Sequence, residues 1–217
     1  MVEYIPVNLS VHKLLLIDLN DEYLSWIGAE IKKHYNLDAI SILGQSIRDY
    51  AEKSVNELAS YIPPDGIFYI LQINDNTIGM GAFRKLEDDI GEVKRMYIRP
   101  DFRGHGYGKA VLKKLIDVGK RFGCTRIRLD TGLFMSAAQH VYRLAGFQKI
   151  EKYPETEVPL EMQPYWIYME KKLLTDCKVN LIFTINLNYF LLESILRALE
   201  NLVFQLLVFS HYFPLQT

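Results

Sequence analysis

The tightest local constraint in this 217-residue chain is a run of three glycines at alternate positions, Gly104, Gly106 and Gly108. Glycine adopts the positive-φ backbone conformations that other residues disfavour, so the chain can turn sharply here. Apolar residues after the run recur at helical spacing, which predicts a helix beginning near Gly106. The free N–H groups at the start of a helix attract anions. With Arg103 and Lys109 beside them, these groups predict a phosphate-binding loop.

Two common nucleotide-binding motifs do not fit this loop. A Walker loop requires GxxxxGK followed by Ser or Thr, but the outer glycines are one position too close and Ala110 follows Lys109. A dinucleotide fingerprint requires GxGxxG directly after a strand, but here the third glycine comes one position early and the segment 99–103 intervenes. A glycine-rich turn without a ligand is the alternative, although the glycines are denser than a turn requires.

Hydrophobic periodicity predicts alternating strands and helices before and after the loop. The apolar run Lys13–Leu19 predicts a strand, and Asp21 predicts the N-cap of the helix that follows it. The other predicted strands lie at 67–71, 78–83, 92–98, 125–129 and 165–170, and the other helices at 47–61, 106–123 and 136–144. This order predicts a mixed α/β sheet with helices on its faces.

Several spaced segments, in order, resemble the GNAT acyltransferases. The segment 103–108 (RGHGYG) is similar to the R/Q-x-x-G-x-G/A signature of that family. Residues 91–100 resemble its central strand, and 128–131 with 141–147 resemble its next strand and helix. Residues 165–173 resemble its closing strand, so the likeness covers roughly residues 10 to 174.

The resemblance implies a splayed sheet that binds acetyl-CoA as co-substrate. Acyl-CoA would enter between the strand ending at Ile98 and the strand beginning near Thr125, with its pyrophosphate on the glycine loop and its pantetheine against the central strand. Many members carry an Asn seven residues before the helix tyrosine, where this chain has Met135. The implied cofactor-binding residues are Met96, Tyr97, Ile98, Arg103, Gly104, His105, Gly106, Tyr107, Gly108, Lys109 and Ala138.

Two residues are candidates for proton transfer. Glu92 lies on the central strand, four residues before Met96, and is the candidate base that removes a proton from the amine. The alternative is a structural glutamate paired with Lys94 or Arg84. Tyr142 is the candidate acid, since a phenol remains a proton donor at neutral pH; the alternative is a core tyrosine. A backbone N–H near Tyr97 would stabilise the oxyanion.

Composition argues against several other classes of protein. The net charge of −1 does not favour nucleic-acid binding, which depends on concentrated positive charge. The two cysteines are far apart, which argues against a disulfide scaffold and favours a cytoplasmic location. The five histidines lack metal-binding spacing, so we expect no metal. The N-terminal residues do not resemble a secretory signal.

The C-terminal segment 175–217 lies outside the resemblance. It is strongly apolar, with five Lys, Arg, Asp or Glu residues among its 43. Its pattern predicts a strand at 179–189 and an amphipathic helix at 190–209. Its uncharged runs are shorter than a membrane span. We therefore expect an N-terminal acetyltransferase domain, 1–174, and an extension that packs on the same chain or forms a homodimer.

These observations lead to one main functional hypothesis and one alternative. The main hypothesis is an N-acetyltransferase that moves an acetyl group from acetyl-CoA to a small primary amine or an exposed peptide amine. It predicts direct attack through a tetrahedral intermediate. The alternative is a CoA-binding regulatory or interaction module that has lost turnover.

Overall fold

The structure is a computed structural model that describes residues 2–57 and 61–173. Its elements follow the order strand, three helices, three strands, helix, strand, helix and two strands. The strands are β1 (Glu3–Pro6), β2 (Gly66–Ile73), β3 (Asn76–Glu87), β4 (Ile90–Ile98), β5 (Arg126–Gly132), β6 (Gln148–Ile150) and β7 (Trp166–Lys172). The helices are α1 (Leu9–Tyr35), α2 (Ala39–Leu43), α3 (Ile47–Glu57), α4 (Tyr107–Arg121) and α5 (Ser136–Leu144).

The seven strands of the described residues form one mixed sheet in the order β1-β2-β3-β4-β5-β7-β6. Strands β2, β3 and β4 form the antiparallel meander that the turn signals at residues 74–76 and 88–89 predict. All strand pairs are antiparallel except β4 with β5, which the helix α4 connects. The mixed α/β class predicted from the sequence is therefore confirmed.

The parallel pair β4–β5 separates soon after it begins. Its ladder consists of Ile90 with Arg126, Gly91 with Ile127 and Glu92 with Arg128. Strand β4 continues to Ile98 and β5 to Gly132, but the two strands do not pair over these stretches. The splay leaves one edge of β4 from Val93 onward without a neighbouring strand.

Helices pack on both faces of the sheet. On one face, α4 contributes Leu112 and Leu115 to a core that also contains Phe83 and Ile127. On the other face, α1 contributes Leu16 and Leu19, which pack with Met80 and other buried residues of β2 and β3. Both faces of the central strands are therefore covered, each by its own hydrophobic core.

The predicted strand at Lys13–Leu19 is wrong, because these residues belong to α1. Helix α1 begins at Leu9, and the Asn8 side chain caps it by accepting a hydrogen bond from the Ser10 N–H, 3.0 Å away. The predicted N-cap, Asp21, therefore lies inside the helix. A short apolar run does not by itself distinguish a strand from a buried helical segment. Here Leu16 is fully buried while Leu14 is 73% exposed.

The remaining elements follow the predicted order closely. Helices α3 and α5 begin at the predicted residues 47 and 136, and the glycine after α4, Gly123, has a φ of +82° that ends the helix. The short elements β1, α2 and β6 carry too few residues for periodicity and were not predicted. The predicted strand 179–189 and helix 190–209 lie outside the described residues, and so do residues 58–60 of the predicted helix 47–61; Tyr61, the predicted last residue, is not helical.

Candidate active site

The splay opens into a cavity of about 640 Å³. One side is formed by α1 and α2, and another by β4 and the glycine loop. The end of β5, the start of α5 and the segment 157–159 complete the wall. One cavity therefore extends from the glycine loop, across the unpaired edge of β4, to side chains of α1, α2, β5 and α5.

The glycine loop has backbone geometry that is suited to an anion. Gly104 and Gly106 both have φ of +81°, and Gly106 is the N-cap of α4. The Ala110 N–H donates to the Gly106 carbonyl at 3.1 Å as the helix begins, and no side chain caps the preceding turn. A Cβ added at Gly104, Gly106 or Gly108 would meet no described atom within 4 Å. The open space at a helix N-terminus fits a pyrophosphate.

The Arg103 side chain extends along the cavity wall and contacts residues outside the glycine loop. Its Nε donates to the Ile98 carbonyl at 2.9 Å. Its guanidinium lies 4.9 Å from the centre of the Trp26 ring and 5.7 Å from that of Tyr97. Arg103 thus joins the loop to the aromatic wall through cation–π contacts. His105 instead has its Nδ1 2.8 Å from the Arg103 carbonyl and stacks on Tyr107.

Strand β4 bulges where it passes the cavity. Ala82 of β3 pairs with Lys94 and Met80 pairs with Tyr97, so β4 has one extra residue between them. Arg95 lies in this bulge with a φ of +53°, which an arginine rarely adopts. The bulge bends β4 at the point where the splay widens. Nothing in the sequence signalled it, because no glycine or asparagine marks the position.

Glu92 is buried inside an ion-pair network. Its carboxylate is fully buried and accepts from Arg84 Nε at 2.7 Å and from the Tyr153 hydroxyl at 2.7 Å. Arg84 and Lys94 also pair with Glu157 of the segment that covers the cavity. The ion pair with Arg84 is the contact expected if Glu92 is a structural residue and not the base. Glu92 is not among the residues that line the cavity.

Asp130 is a carboxylate that lines the cavity and that sequence reasoning missed. It lies near the end of β5, and its Oδ1 accepts from Trp166 Nε1 at 3.0 Å. Burial raises the pKa of Asp130 to about 6, and the charge of Glu92 adds to the rise while Lys94 opposes it. A carboxyl group with such a pKa is a proton acceptor near neutral pH. The sequence signal that could have identified Asp130 is its position as a carboxylate at the end of a strand with alternating apolar residues.

Tyr142 lines the cavity from α5, as the sequence predicted for a candidate acid. Its side chain is buried against Phe147, with ring centres 6.1 Å apart. Burial raises its pKa well above the ordinary value for a phenol, and the nearby Tyr23 and Asp130 raise it further. Tyr142 therefore keeps its proton at neutral pH.

A cluster of aromatic side chains, here called the aromatic end of the cavity, forms the part of the wall that Arg103 joins to the glycine loop. Trp26 of α1 and Trp166 of β7 both make edge-to-face contacts with Phe134, at 6.0 Å and 5.7 Å between ring centres. Tyr23 stacks beside Trp26 at 6.4 Å. Both tryptophans line the cavity. Met135 also lies in this wall, and its Sδ accepts from the Thr131 hydroxyl.

The structure brings most of the predicted site residues together. Those that line the cavity are Met96, Tyr97, Ile98, Arg103, Gly104, Gly106, Tyr107, Gly108, Lys109, Ala138 and Tyr142. His105 and Glu92 do not line it. Over the ranges 2–57 and 61–173, no group of three or more His, Cys, Asp or Glu side chains has an arrangement that could hold a metal ion. Within the same ranges no helix is long and apolar enough to cross a membrane.

Comparison with known proteins places this geometry in a family. The model of the acetyltransferase (GNAT) family matches residues 29–147, so the chain belongs to that family. An IAA acetyltransferase from Azospirillum brasilense is 29% identical over 118 residues, 54% of this chain and 74% of that protein. A human N-acetylaspartate synthetase is 30% identical over 87 residues, which are 40% of this chain and 29% of that protein.

A solved structure has the same fold. The PaiA N-acetyltransferase from Thermoplasma acidophilum, crystallised in complex with coenzyme A, is 18% identical with a TM-score of 0.58. The match covers 80% of this chain and 99% of that one. Together with the family match, it confirms the GNAT assignment and its splayed sheet. The protein is an enzyme of the N-acetyltransferase class, and acetyl-CoA is the co-substrate of its family.

Proposed function

We propose that this protein transfers an acetyl group from acetyl-CoA to a primary amine by direct attack through a tetrahedral intermediate. The observation that carries the proposal is the continuity of one cavity, in which the anion-binding glycine loop leads to Asp130 and Tyr142. Such a cavity can hold a phosphorylated cofactor at one end and a second substrate at the other. Binding both in one site supplies the proximity that group transfer needs.

The backbone of this chain can hold acetyl-CoA at two places. The backbone N–H groups from Gly104 to Lys109 would bind the pyrophosphate. The unpaired edge of β4, from Met96 to Ile98, would pair with the pantetheine amides as an added strand. Arg103 already donates to the Ile98 carbonyl, so pairing with that carbonyl would require it to share or release the bond. When bound, acetyl-CoA supplies an activated thioester whose carbonyl is open to nucleophilic attack.

We infer that Asp130, rather than Glu92, takes the proton from the amine. Asp130 lines the cavity, and among the described residues only Trp166 hydrogen-bonds its carboxylate. Glu92 as the base stays a prediction, but both of its oxygens are held by Arg84 and Tyr153. Glu92 would then act as a positioning residue, since its charge raises the pKa of Asp130.

Tyr142 is proposed as the proton donor to the departing thiolate. Its phenol lines the cavity and is protonated at neutral pH for the reasons given above. In the direction of synthesis the proton leaves the amine for Asp130, the amine nitrogen bonds to the acetyl carbon, and the carbon–sulfur bond breaks. Tyr142 protonates the sulfur, so that free CoA leaves as a thiol, and the Tyr142 phenolate then takes the second proton that the nitrogen loses as it becomes an amide.

The names of these relatives do not identify the acetyl acceptor of this protein. One relative above is named an IAA acetyltransferase and the other an N-acetylaspartate synthetase, and each matches only part of this chain. The acceptor must therefore be argued from the aromatic end of the cavity. The domain division at residue 174, homodimer formation and a cytoplasmic location stay predictions.

Release of free thiol from acetyl-CoA with a panel of primary amines tests the proposal. We expect turnover with at least one amine, and a Tyr142→Phe variant that binds acetyl-CoA normally but turns over about 10²- to 10⁴-fold more slowly. Tyr168→Phe is the matched control, because Tyr168 is equally buried but does not line the cavity. Binding of acetyl-CoA without thiol release for any amine would favour the silent module instead.

A further inference from the structure

Arg95 is a cation of the cavity without a carboxylate partner. The other basic side chains of the sheet near the cavity are paired: Arg84 with Glu92, Lys94 with Glu157, and Arg128 with Glu170. No described residue forms an ion pair or hydrogen bond with the Arg95 side chain. The Glu157 carboxylate is within electrostatic reach of Arg95 but already pairs with Arg84 and Lys94. The partly buried Arg95 guanidinium is therefore suited to an anion that arrives with a ligand.

The bulge in β4 sets where Arg95 lies. Met96 packs toward the core beneath α4, whereas Tyr97 packs toward α1. The extra residue in the bulge places Arg95 on the cavity wall, close enough to Tyr23 of α1 for its charge to lower the pKa of that phenol. Left-handed backbone at a non-glycine residue is concentrated at ligand-binding sites. Arg95 thus combines strained backbone, a position on the cavity and a free guanidinium.

Asp130 lines the same cavity and is also within electrostatic reach of Tyr23. Its charge raises the pKa of the Tyr23 phenol, while that of Arg95 lowers it. One tyrosine therefore has a carboxylate and a guanidinium within electrostatic reach. An acceptor bound at Tyr23 would meet a group that attracts its amine and another that attracts a carboxylate.

From this juxtaposition we propose that the acceptor is a free α-amino acid with an apolar side chain, whose carboxylate pairs with Arg95 while its amine lies beside Asp130. The proposal rests on the function proposed above. A guanidinium binds a carboxylate through two parallel hydrogen bonds, which also fixes orientation. The apolar wall that would receive the side chain comprises Trp26, Ile27, Ile42, Tyr50, Met162 and Trp166.

The proposal separates three kinds of amine that carry the same side chain. L-Phenylalanine has a carboxylate next to its amine, whereas phenylalaninamide imitates a peptide N-terminus and phenethylamine has neither group. Rates are compared at equal concentrations of the unprotonated amine, because the three amines differ in pKa. We expect kcat/KM for phenylalanine to exceed that for each analogue by about 10- to 100-fold, as loss of a charged hydrogen-bonded pair implies. Leucine and its analogues form a second set.

The variant Arg95→Gln should remove this preference, so that kcat/KM for phenylalanine falls to about that for phenethylamine measured with the same variant. Arg95→Lys should keep part of it, since lysine retains the charge but not the paired hydrogen bonds. Arg121→Gln is the matched control, because Arg121 is an exposed residue at the end of α4 and does not line the cavity. An unchanged preference in Arg95→Gln would overturn the proposal.

Binding gives a second readout that needs no turnover. Calorimetry with the CoA-bound full chain should detect phenylalanine in the wild type and a loss of about 10-fold or more in affinity in Arg95→Gln. If no amine were acetylated, the proposed function would fail, and this titration would still decide the role of Arg95. Thiol release with amines but equal rates with and without the carboxylate would overturn the amino-acid acceptor alone.

Discussion

The glycine-loop end and the aromatic end of the cavity use different parts of the chain. At the loop, consecutive residues from Gly104 to Lys109 present backbone N–H groups, and the glycines carry no side chains that would fill the space. At the aromatic end, the wall combines Trp26, Asp130, Glu157 and Trp166, which are distant in sequence. A backbone site accepts any ligand with a pyrophosphate, whereas a side-chain site selects by shape and charge. The comparison explains how one fold can keep its cofactor while its acceptor changes.

Ion pairs fix the aromatic end but not the loop. Glu157 joins Arg84 and Lys94, and Glu155 joins Arg128 at 3.4 Å, so the segment after β6 is tied to the central strands. The loop depends on backbone conformation, because φ is +81° at Gly104 and Gly106. Substitutions should therefore act through backbone strain and charge at the loop, and through lost contacts at the aromatic end.

The largest effect is expected from Gly106→Glu. The new side chain would place a negative charge in the space for the pyrophosphate and force positive φ on a residue with a Cβ. Calorimetry should show acetyl-CoA affinity reduced by about 100-fold or more, since like charges meet at a site built for an anion. Gly123→Glu is the matched control, because Gly123 also has a φ of +82° and open space around its Cα but lies outside the cavity. Equal affinity in both variants would contradict the loop assignment.

A smaller effect, on stability, is expected from Asp130→Asn. The folded-state pKa of Asp130, about 6, is above its ordinary value of 3.8, so the unfolded chain gives up this proton more readily. The buried charge therefore costs stability above pH 6, and this cost disappears below pH 4, where the carboxyl is protonated in both states. The variant should raise the free energy of unfolding by about 1–3 kcal/mol at pH 7.5. Denaturant unfolding at pH 7.5 and pH 4 measures it. A destabilised variant at pH 7.5 would contradict the pKa shift.

The difference between the two regions also explains how much of the fold and the site could be predicted from the sequence. The loop, α4 and α5 were predicted nearly to the residue, because glycine spacing and helical periodicity are local signals. Helix α1 was misread where its apolar run resembled a strand. Glu92 was predicted on the right strand, but its burial against Tyr153 depends on a residue 61 positions away. Arg95 was missed, because nothing in the sequence signals the bulge that places it on the cavity wall. Asp130 was missed although it ends an alternating strand beside the splay that the resemblance implies.

The pH dependence of kcat/KM in the wild type, Asp130→Asn and Glu92→Gln tests the assignment of the base most directly. A base that must be unprotonated gives a rate that rises with pH through its pKa and then levels off, once the ionisation of the amine is taken into account. We predict a midpoint near pH 6 in the wild type, in keeping with the pKa of Asp130. This step should disappear in Asp130→Asn and shift to lower pH in Glu92→Gln, because loss of the Glu92 charge lowers the pKa of Asp130. A step that persists in Asp130→Asn and vanishes in Glu92→Gln would contradict the account and make Glu92 the base.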